Sequence, residues 1–282
     1  MQKTMIKFIE DGHLYNNIDP NDNFEWVSVT KLVGQFKEPF DGPNVAEKCS
    51  KGKNPKYKGK SPKEILAMWD KENKRATNLG SWYHNQRERA ILDCNTITRE
   101  GIELPIISPL VEGKVKIAPE QSLIEGLYPE HFVYLRSASI CGQADRVEIV
   151  GDRVDVYDYK TNKEVKTRGH EFWDGTRKMM LGPLKHLEDC EINHYALQLS
   201  IYMYIILKHN YNLNPGIMQI HHVEFEIDEY DKNGFPIHAL DPIGEPIVKT
   251  VNRIDLPYLK KEVINILKWL KENKQIVLHN AH

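Results

Sequence analysis

Asp145, Asp158 and Lys160 are the residues of this chain whose types and spacing most directly spell chemistry. They lie in the stretch from Ile140 to Lys160, which is divided by Gly151-Asp152. That dipeptide is a two-residue hairpin signal, with Gly at the first central position as a type II′ turn requires. If those two residues form the turn, Val150 pairs with Arg153 and Asp145 stands directly opposite Asp158. Alternation then puts Asp145, Val147 and Ile149 on one face with Val154, Val156, Asp158 and Lys160. This face is apolar near the turn and charged at its open end. Two opposed carboxylates with Cβ atoms about 5 Å apart destabilise a bare sheet and call for a compensating cation. A hard divalent ion such as Mg²⁺ suits them, because it takes one or two carboxylates together with waters and phosphate oxygens. Lys160 points the same way and can neutralise a phosphate or orient an attacking water. On the other face, Arg146 can reach Asp155 and Glu148 can reach Arg153 along diagonals, as ordinary surface pairs. Taken alone, the open end is equally consistent with a solvated hairpin carrying an incidental Asp, Asp and Lys.

Two helical stretches, one before and one after this hairpin, carry further polar candidates. Ser61-Pro62-Lys63-Glu64 is a helix start, with Ser61 as cap, Pro62 at the first position and Glu64 closing a capping box. Ile65, Met68, Trp69 and Glu72 follow along one face. Gly80 is expected to interrupt the run before a second helix carries His84, Glu88 and Ile91, which share a face at i, i+4 and i+7. A lone helical His is more often structural than a ligand, and Glu88 has Arg87 and Arg89 beside it as ion-pair partners. Downstream, Glu191 to Lys208 is an amphipathic helix with Tyr195, Leu199, Tyr202 and Ile206 as its apolar stripe. Gln198 and Tyr202 are four apart and face the same way, although Tyr202 also reads as plain core.

In order, Gly80-Ser81-Trp82-Tyr83-His84-Asn85-Gln86-Arg87-Glu88, then Asp145 with Asp158-Tyr159-Lys160, then Gln198-Leu199-Ser200-Ile201-Tyr202 resemble the PD-(D/E)xK nuclease superfamily, and within it the RecB-type exonuclease branch. The likeness spans roughly residues 80 to 206. The lead-in Phe24-Glu25-Trp26-Val27-Ser28-Val29-Thr30 resembles phage and mitochondrial genome-maintenance exonucleases of this type. Ala144 stands where the family name has Pro, and Asp158 is Asp where many members have Glu. The resemblance implies an α/β fold with a restriction-endonuclease-like αβββαβ core, a central mixed sheet of three or four strands flanked by helices. It implies a metal site of one or two Mg²⁺ or Mn²⁺ ions held by His84, Asp145, Asp158 and the Tyr159 carbonyl. It also implies catalytic or supporting roles for Lys160, Gln198, Tyr202 and Glu88. Some RecB-type nucleases carry an iron–sulfur cluster held by one Cys before the histidine helix and three after the glutamine helix. Here no Cys follows Cys190, so no cluster is expected.

The remaining sequence supplies substrate contacts and bounds. Residues 51–60 hold five lysines and one tyrosine in a Gly- and Pro-interrupted loop. Lys53, Lys56, Tyr57 and Lys58 suit single-stranded DNA by charge and stacking, or form a solvated loop. Lys163, three residues after Lys160, is a candidate phosphate contact. Met179 to Leu184 is an apolar run that fits a core edge or a wedge against bases. Ile6–Ile9 and Gly12-His13-Leu14-Tyr15 suggest a hairpin. Glu120 to Leu127 reads as an amphipathic piece, His131 to Leu135 and Met218 to Phe225 as strands, and about Leu256 to Asn273 as a helix with Leu259, Val263, Ile266, Leu267 and Leu270 inward. His221 and His222 face opposite sides of their strand, so they are not a two-ligand site.

The organisation expected is one nuclease domain over 1–282. Residues 1–60 would give N-terminal strands, a helix and the basic loop, 61–227 the catalytic core, and 228–282 a C-terminal hairpin or loop and helix. A net charge of −2 excludes a global polycation, so nucleic-acid binding must come from local patches and metal bridging. The N-terminus lacks a signal-peptide apolar run, the apolar stretch Leu197–Leu207 is too short to span a bilayer, and Cys49, Cys94, Cys141 and Cys190 are widely spaced. These features imply a cytoplasmic protein, in the host cytoplasm if viral, with no membrane partner and reduced thiols. Three readings follow: a metal-dependent exonuclease acting on DNA ends or single strands in phage replication, recombination or repair; a structure-specific or restriction-like endonuclease; and a non-catalytic nucleic-acid-binding module.

Overall fold

The computed structural model describes residues 6–9, 14–113, 115–117 and 121–279, with side chains through Asn273. Two short strands, β1 (Ile6–Ile9) and β2 (Leu14–Asn17), pair antiparallel. The hairpin expected there is present as far as its strands go, while Gly12 and His13 lie outside the described residues. After β3 (Val27–Ser28), Ser28 caps α1 (Val29–Gly34) by accepting from the Lys31 N–H, and α2 (Gly42–Lys51) starts at the Asp41 cap.

The next helix, α3 (Pro62–Leu92), runs for 31 residues without a break. Its capping box is fully formed: Ser61 accepts from the Glu64 N–H and Glu64 Oε2 accepts from the Ser61 N–H at 2.7 Å. The interruption expected at Gly80 does not occur. Helix-interior Gly costs only about 1 kcal/mol, and here its missing side chain admits a neighbour. A Cβ on Gly80 would lie 3.2 Å from Thr161 Oγ1.

The hairpin β4 (Thr96–Arg99) and β5 (Ile102–Pro105) follows, then β6 (Leu110–Glu112) and β7 (Val115–Ile117), which extend the β1–β2 sheet. The amphipathic piece read from residue 120 to Leu127 as connecting structure is irregular at first and then enters a strand. Glu120 lies outside the described residues, residues 121–125 are irregular, and strand β8 (Gly126–Leu135) already begins at Gly126. Gln121 is tied to the Phe132 carbonyl and Leu123 N–H to Asn210, so side-chain bonds fix the irregular part.

The central sheet is built on β9 (Ile140–Val150) and β10 (Arg153–Lys160), with β11 (Asn214–Phe225) parallel to β10 and β14 (Val248–Asp255) antiparallel to β11. The small hairpin β12 (Ile227–Tyr230) and β13 (Pro236–His238) lies between β11 and β14 in the chain. With β3 and β8 also on β9, the sheet is mixed and has six strands in order β14-β11-β10-β9-β3, with β8 on β9. This is two strands more than the largest core expected. Helix α4 (Glu191–His209) connects β10 to β11 and is buried nearly all round, and α5 (Lys260–His279) packs on it through Val263, Ile266 and Leu270. Residues Ala196 to Ile206 meet Val147, Ile149, Val154, Val156 and Ile220 in one core under this face of the sheet. Among the described residues no helix is long and apolar enough to cross a membrane.

The other face of the hairpin corrects an expectation. Glu148 and Asp155 are wholly buried, not surface pairs, and the partners run along each strand instead of diagonally across. Arg146 pairs with Glu148, and Arg153 Nε binds Asp155 Oδ1 at 3.0 Å. The β4–β5 hairpin covers them: Arg99 Nε donates to Glu148 Oε2 at 2.8 Å and Arg99 also binds the Tyr157 hydroxyl at 2.6 Å.

Candidate active site

The turn at Gly151-Asp152 has two residues, with Val150 paired to Arg153 and Tyr157 to Arg146. Gly151 alone of the two is left-handed, at φ 60°, as a type II′ turn needs. The next position in that register sets Asp158 opposite Asp145. There the ladder gives way to a side chain: Asp145 Oδ2 accepts the Tyr159 N–H at 2.6 Å.

The same row continues onto β8. Pro129 pairs with Arg146 and His131 with Ala144, so Glu130 stands opposite Asp145. Glu130 is left-handed at φ 48°. Its kink coincides with a change of parity in both strands. Before the kink Tyr128 faces the main core, and after it Val133 does, while on β9 the core residues switch from Ile140 and Ala144 to Val147 and Ile149. Three carboxylates therefore lie side by side across three adjacent strands.

His84 reaches this row from α3, where an unbroken helix crosses the end of β10. Its Nδ1 lies 3.4 Å from Asp145 Oδ1 and 4.0 Å from Glu130 Oε1, and its Nε2 lies 3.1 Å from the Tyr159 carbonyl oxygen. Both ring nitrogens thus face acceptors. Burial pushes the imidazole pKa down, but the charge of Asp145, with Glu130 and Asp158 behind it, raises it to about 9. Burial likewise pushes Asp145 up, yet His84, Lys160 and the Tyr159 N–H hold it below the usual carboxylate range. Burial and then Asp145 push Asp158 up to about 6, and Glu130 well above its ordinary value.

Lys160 Nζ is ion-paired to Asp158 Oδ2 at 2.5 Å and donates to Gln198 Oε1 at 3.4 Å. Burial opposes its charge, but Asp158 and Asp145 keep the ammonium pKa raised. The Gln198 amide donates to Asp158 Oδ1 at 3.4 Å and to the Tyr202 hydroxyl at 3.2 Å. Tyr202 is itself core, and its ring lies on Gly142, where a Cβ would come within 2.6 Å of Tyr202 Cε1. The i, i+4 spacing on α4 thus carries a relay from the core to the carboxylate row.

His84, Lys160 and Gln198 open onto a cavity of about 600 Å³ between α1, α3 and the start of α4. Thr30, Lys37, His194 and Tyr195 line it together with His84, Lys160 and Gln198. Lys160 Nζ sits 4.8 Å above the Tyr195 ring, and His194 Nε2 is bound to Asp189 Oδ1 at 2.7 Å.

The other residues singled out lie farther out. Both Glu88 oxygens are taken by Lys116 Nζ, at 2.8 and 3.1 Å, and not by Arg87 or Arg89. Tyr57 is half-buried, with its ring edge-to-face on Trp69 and its hydroxyl accepting from Trp69 Nε1 at 3.1 Å. Lys53 and Lys58 are exposed, whereas Lys56 sits 3.6 Å above the Phe235 ring. Lys163 Nζ lies 3.2 Å from Glu72 Oε1 and 5.2 Å from the same Phe235 ring. In the apolar run after them, Met180 and Leu184 enter the core while Met179 and Leu181 are exposed. Glu130 is the site residue that sequence reasoning missed. Its signal was present: extending the strand by one residue before His131 puts an acid opposite Asp145.

The donor set fits a hard divalent cation. Ligand atoms of His84, Glu130 and Asp145 all lie within 4.8 Å of one another, and burial together with Asp145 holds Glu130 and Asp158 above their ordinary pKa values, so a divalent ion among them would favour their ionised forms. Carboxylates favour Mg²⁺, Ca²⁺ or Mn²⁺, and an imidazole must lose its proton to join them as a ligand.

No curated protein matches the chain. A solved structure titled "Crystal structure of SSO0001" is 14% identical, with a TM-score of 0.32, covering 92% of this chain and 80% of that one. The model of the PD-(D/E)XK nuclease superfamily matches residues 44–275, a span that takes in α3 with His84, the carboxylate hairpin with Lys160, and α4 with Gln198. A mixed sheet flanked by helices, with an Asp-x-Lys strand end facing a second acid, is the arrangement that family name describes, and this chain belongs to the PD-(D/E)XK nuclease superfamily.

Proposed function

We propose that this protein is a deoxyribonuclease that hydrolyses phosphodiester bonds with Mg²⁺ or Mn²⁺, acting as a RecB-type exonuclease on DNA ends or single strands in phage replication, recombination or repair. The observation that carries the hydrolytic reading is the row Glu130, Asp145, Asp158 across β8, β9 and β10, with Lys160 and His84 at the mouth of one cleft. The exonuclease assignment is drawn from the likeness of the His84, Asp145–Lys160 and Gln198–Tyr202 motifs to that branch.

Asp145, Asp158, Glu130 and His84 would hold the ion, with the Tyr159 carbonyl beside them. A bound divalent ion supplies a Lewis acid that acidifies water and offsets charge on the phosphorane-like transition state. Lys160, fixed between Asp158 and Gln198, presents its ammonium to the attacking water or the phosphate. Gln198 orients both Lys160 and Asp158, and Tyr202 anchors Gln198 in the core. Lys53, Lys56, Tyr57, Lys58 and Lys163 would contact the strand outside the cleft, while Glu88 supports the site through its bond to Lys116.

Labelled linear and covalently closed circular DNA, incubated with Mg²⁺ or Mn²⁺, provide the test. Loss of the linear DNA alone is the expected result. Nicking of circles would replace the exonuclease with an endonuclease, and binding without cleavage would reduce the chain to a nucleic-acid-binding module. Asp158→Ala and Lys160→Ala should each abolish cleavage, and full activity in either would place the chemistry elsewhere.

A further inference from the structure

The chain leaving β10 at Thr161-Asn162 separates two cavities. One is the catalytic cleft, and the other, of about 350 Å³, lies on the far side of Thr161–Lys163 beneath α3 and the β12–β13 hairpin. Ala76, Thr161 and Asn162 line both, so the two cavities adjoin across this segment. The segment between them is fixed, because His222 Nε2 lies 2.6 Å from the Asn162 carbonyl oxygen and Thr161 packs on Gly80.

The walls of the second cavity combine flat aromatic surface with cations. Phe225 and His238 pack with ring centroids 5.4 Å apart, and Tyr230, 63% exposed, stands at the opening. Arg75, Lys163 and Lys249 line the same space with two carboxylates, Glu224 and Glu72, the latter paired with both Arg75 and Lys163. Lys56 joins Lys163 over the single Phe235 ring next to the cavity. Two ammonium groups crowded on one ring repel each other; Glu72 and Asp231 offset part of that repulsion, and a phosphate beside them would offset more. The volume lies within the range of small-ligand sites, about 300–1,000 Å³.

We propose that this second cavity holds one nucleotide of a single-stranded DNA chain whose neighbouring phosphate occupies the catalytic cleft. The base lies against Tyr230 and the Phe225–His238 pair, and Lys163, Lys56 and Lys249 take the flanking phosphates. Aromatic stacking tolerates every base, so the site selects for an unpaired strand and not for a sequence. It rests on the nuclease reading for its neighbour, but not for its own occupancy.

The test is binding of 5′-fluorescein-labelled dT12 by fluorescence anisotropy in EDTA, where no cleavage occurs. Tyr230 and Lys249 are exposed, so Tyr230→Ala and Lys249→Ala leave the fold intact, and thermal melting checks this. Tyr230→Ala should weaken binding at least about fivefold, as loss of one stacked base does, while Tyr230→Phe binds as the wild type. Lys249→Ala should weaken it less and lower the salt slope by roughly one contact. Wild-type affinity in Tyr230→Ala and Lys249→Ala, or no binding of dT12 by the wild type, overturns the proposal. A parallel incubation of wild type with dT12 and Mn²⁺ separates the two readings: absence of cleavage with the expected binding losses strikes the nuclease assignment and leaves the cavity standing.

Discussion

Glu130 and Asp145 face each other across β8 and β9, one in the left-handed conformation and the other capping the Tyr159 N–H. Opposed like charges cost stability in a bare sheet, so their retention beside Asp158 points to a cation between them. Glu130→Gln keeps the shape and removes the charge. The Mn²⁺ concentration for half-maximal cleavage should rise roughly 10- to 100-fold, the range seen when groups supporting a metal site are lost. An unchanged metal requirement would exclude Glu130 from the ion's surroundings.

Gly142 is required by the approach of Tyr202, not by a turn. A methyl group there would meet the Tyr202 ring at 2.6 Å, in a core where Leu199, Ile206 and Ile140 surround it. Gly142→Ala should therefore lower unfolding free energy by about 1–3 kcal/mol, as overpacking of close-packed interiors does. Urea denaturation reads the loss, and in a Tyr202→Leu background the same substitution should cost much less. Equal costs in both backgrounds would show that the contact is not what holds the glycine.

Much of this site was legible because it depends on local rules. A two-residue turn and strand alternation were enough to set Asp145 against Asp158 and to aim Lys160 at the same face. The capping box at Ser61 and the i, i+4 pair Gln198–Tyr202 are equally local. What escaped depends on distant segments. Gly80 reads as a helix break until Thr161 is known to pack against it. Glu130 is hidden because Pro129 reads as the end of a strand, whereas β8 continues through it with a left-handed kink at Glu130. Glu148 and Asp155 look solvated because their cover, the hairpin bearing Arg99 and Glu100, comes some fifty residues earlier. Strand β14 is a polar edge, Val248 to Asp255, with no buried residue to mark it.

Acid should destabilise the fold through its buried imidazoles. Burial lowers His131 to about 3, and burial together with Arg146, Arg253, Arg87 and Arg99 lowers His221 to about 4. An unfolded histidine titrates near 6.5. Above that value neither state binds the proton; below it the unfolded chain does and the folded chain does not, so stability falls with pH down to the folded values. Thermal melting in EDTA should lose stability from pH 6.5 toward 4 through these two imidazoles, set against Asp158 and Glu130, whose raised pKa values act in the opposite sense there, and should lose stability separately above pH 6.5 as His84 gives up its proton near 9. His221→Gln should lose less than the wild type over that window and differ from it by a constant amount above pH 7. Parallel curves throughout would refute the assignment to His221.

Arg99 tests whether the covered face of the hairpin is structural. Its guanidinium is one of two cations on the wholly buried Glu148, and it also binds the Tyr157 hydroxyl. Removing it leaves Arg146 as the remaining counter-charge and strips donors from two buried acceptors. Arg99→Met, which keeps the apolar stem, should lower stability by about 1–3 kcal/mol. The carboxylate row faces the opposite side of the sheet, so metal dependence of cleavage should stay as in the wild type. Adding Glu148→Gln to Arg99→Met should recover part of the loss, since a neutral amide no longer needs two cations. A shift in metal dependence with Arg99→Met would instead mean that this buried network communicates through β9 and β10 with Asp145.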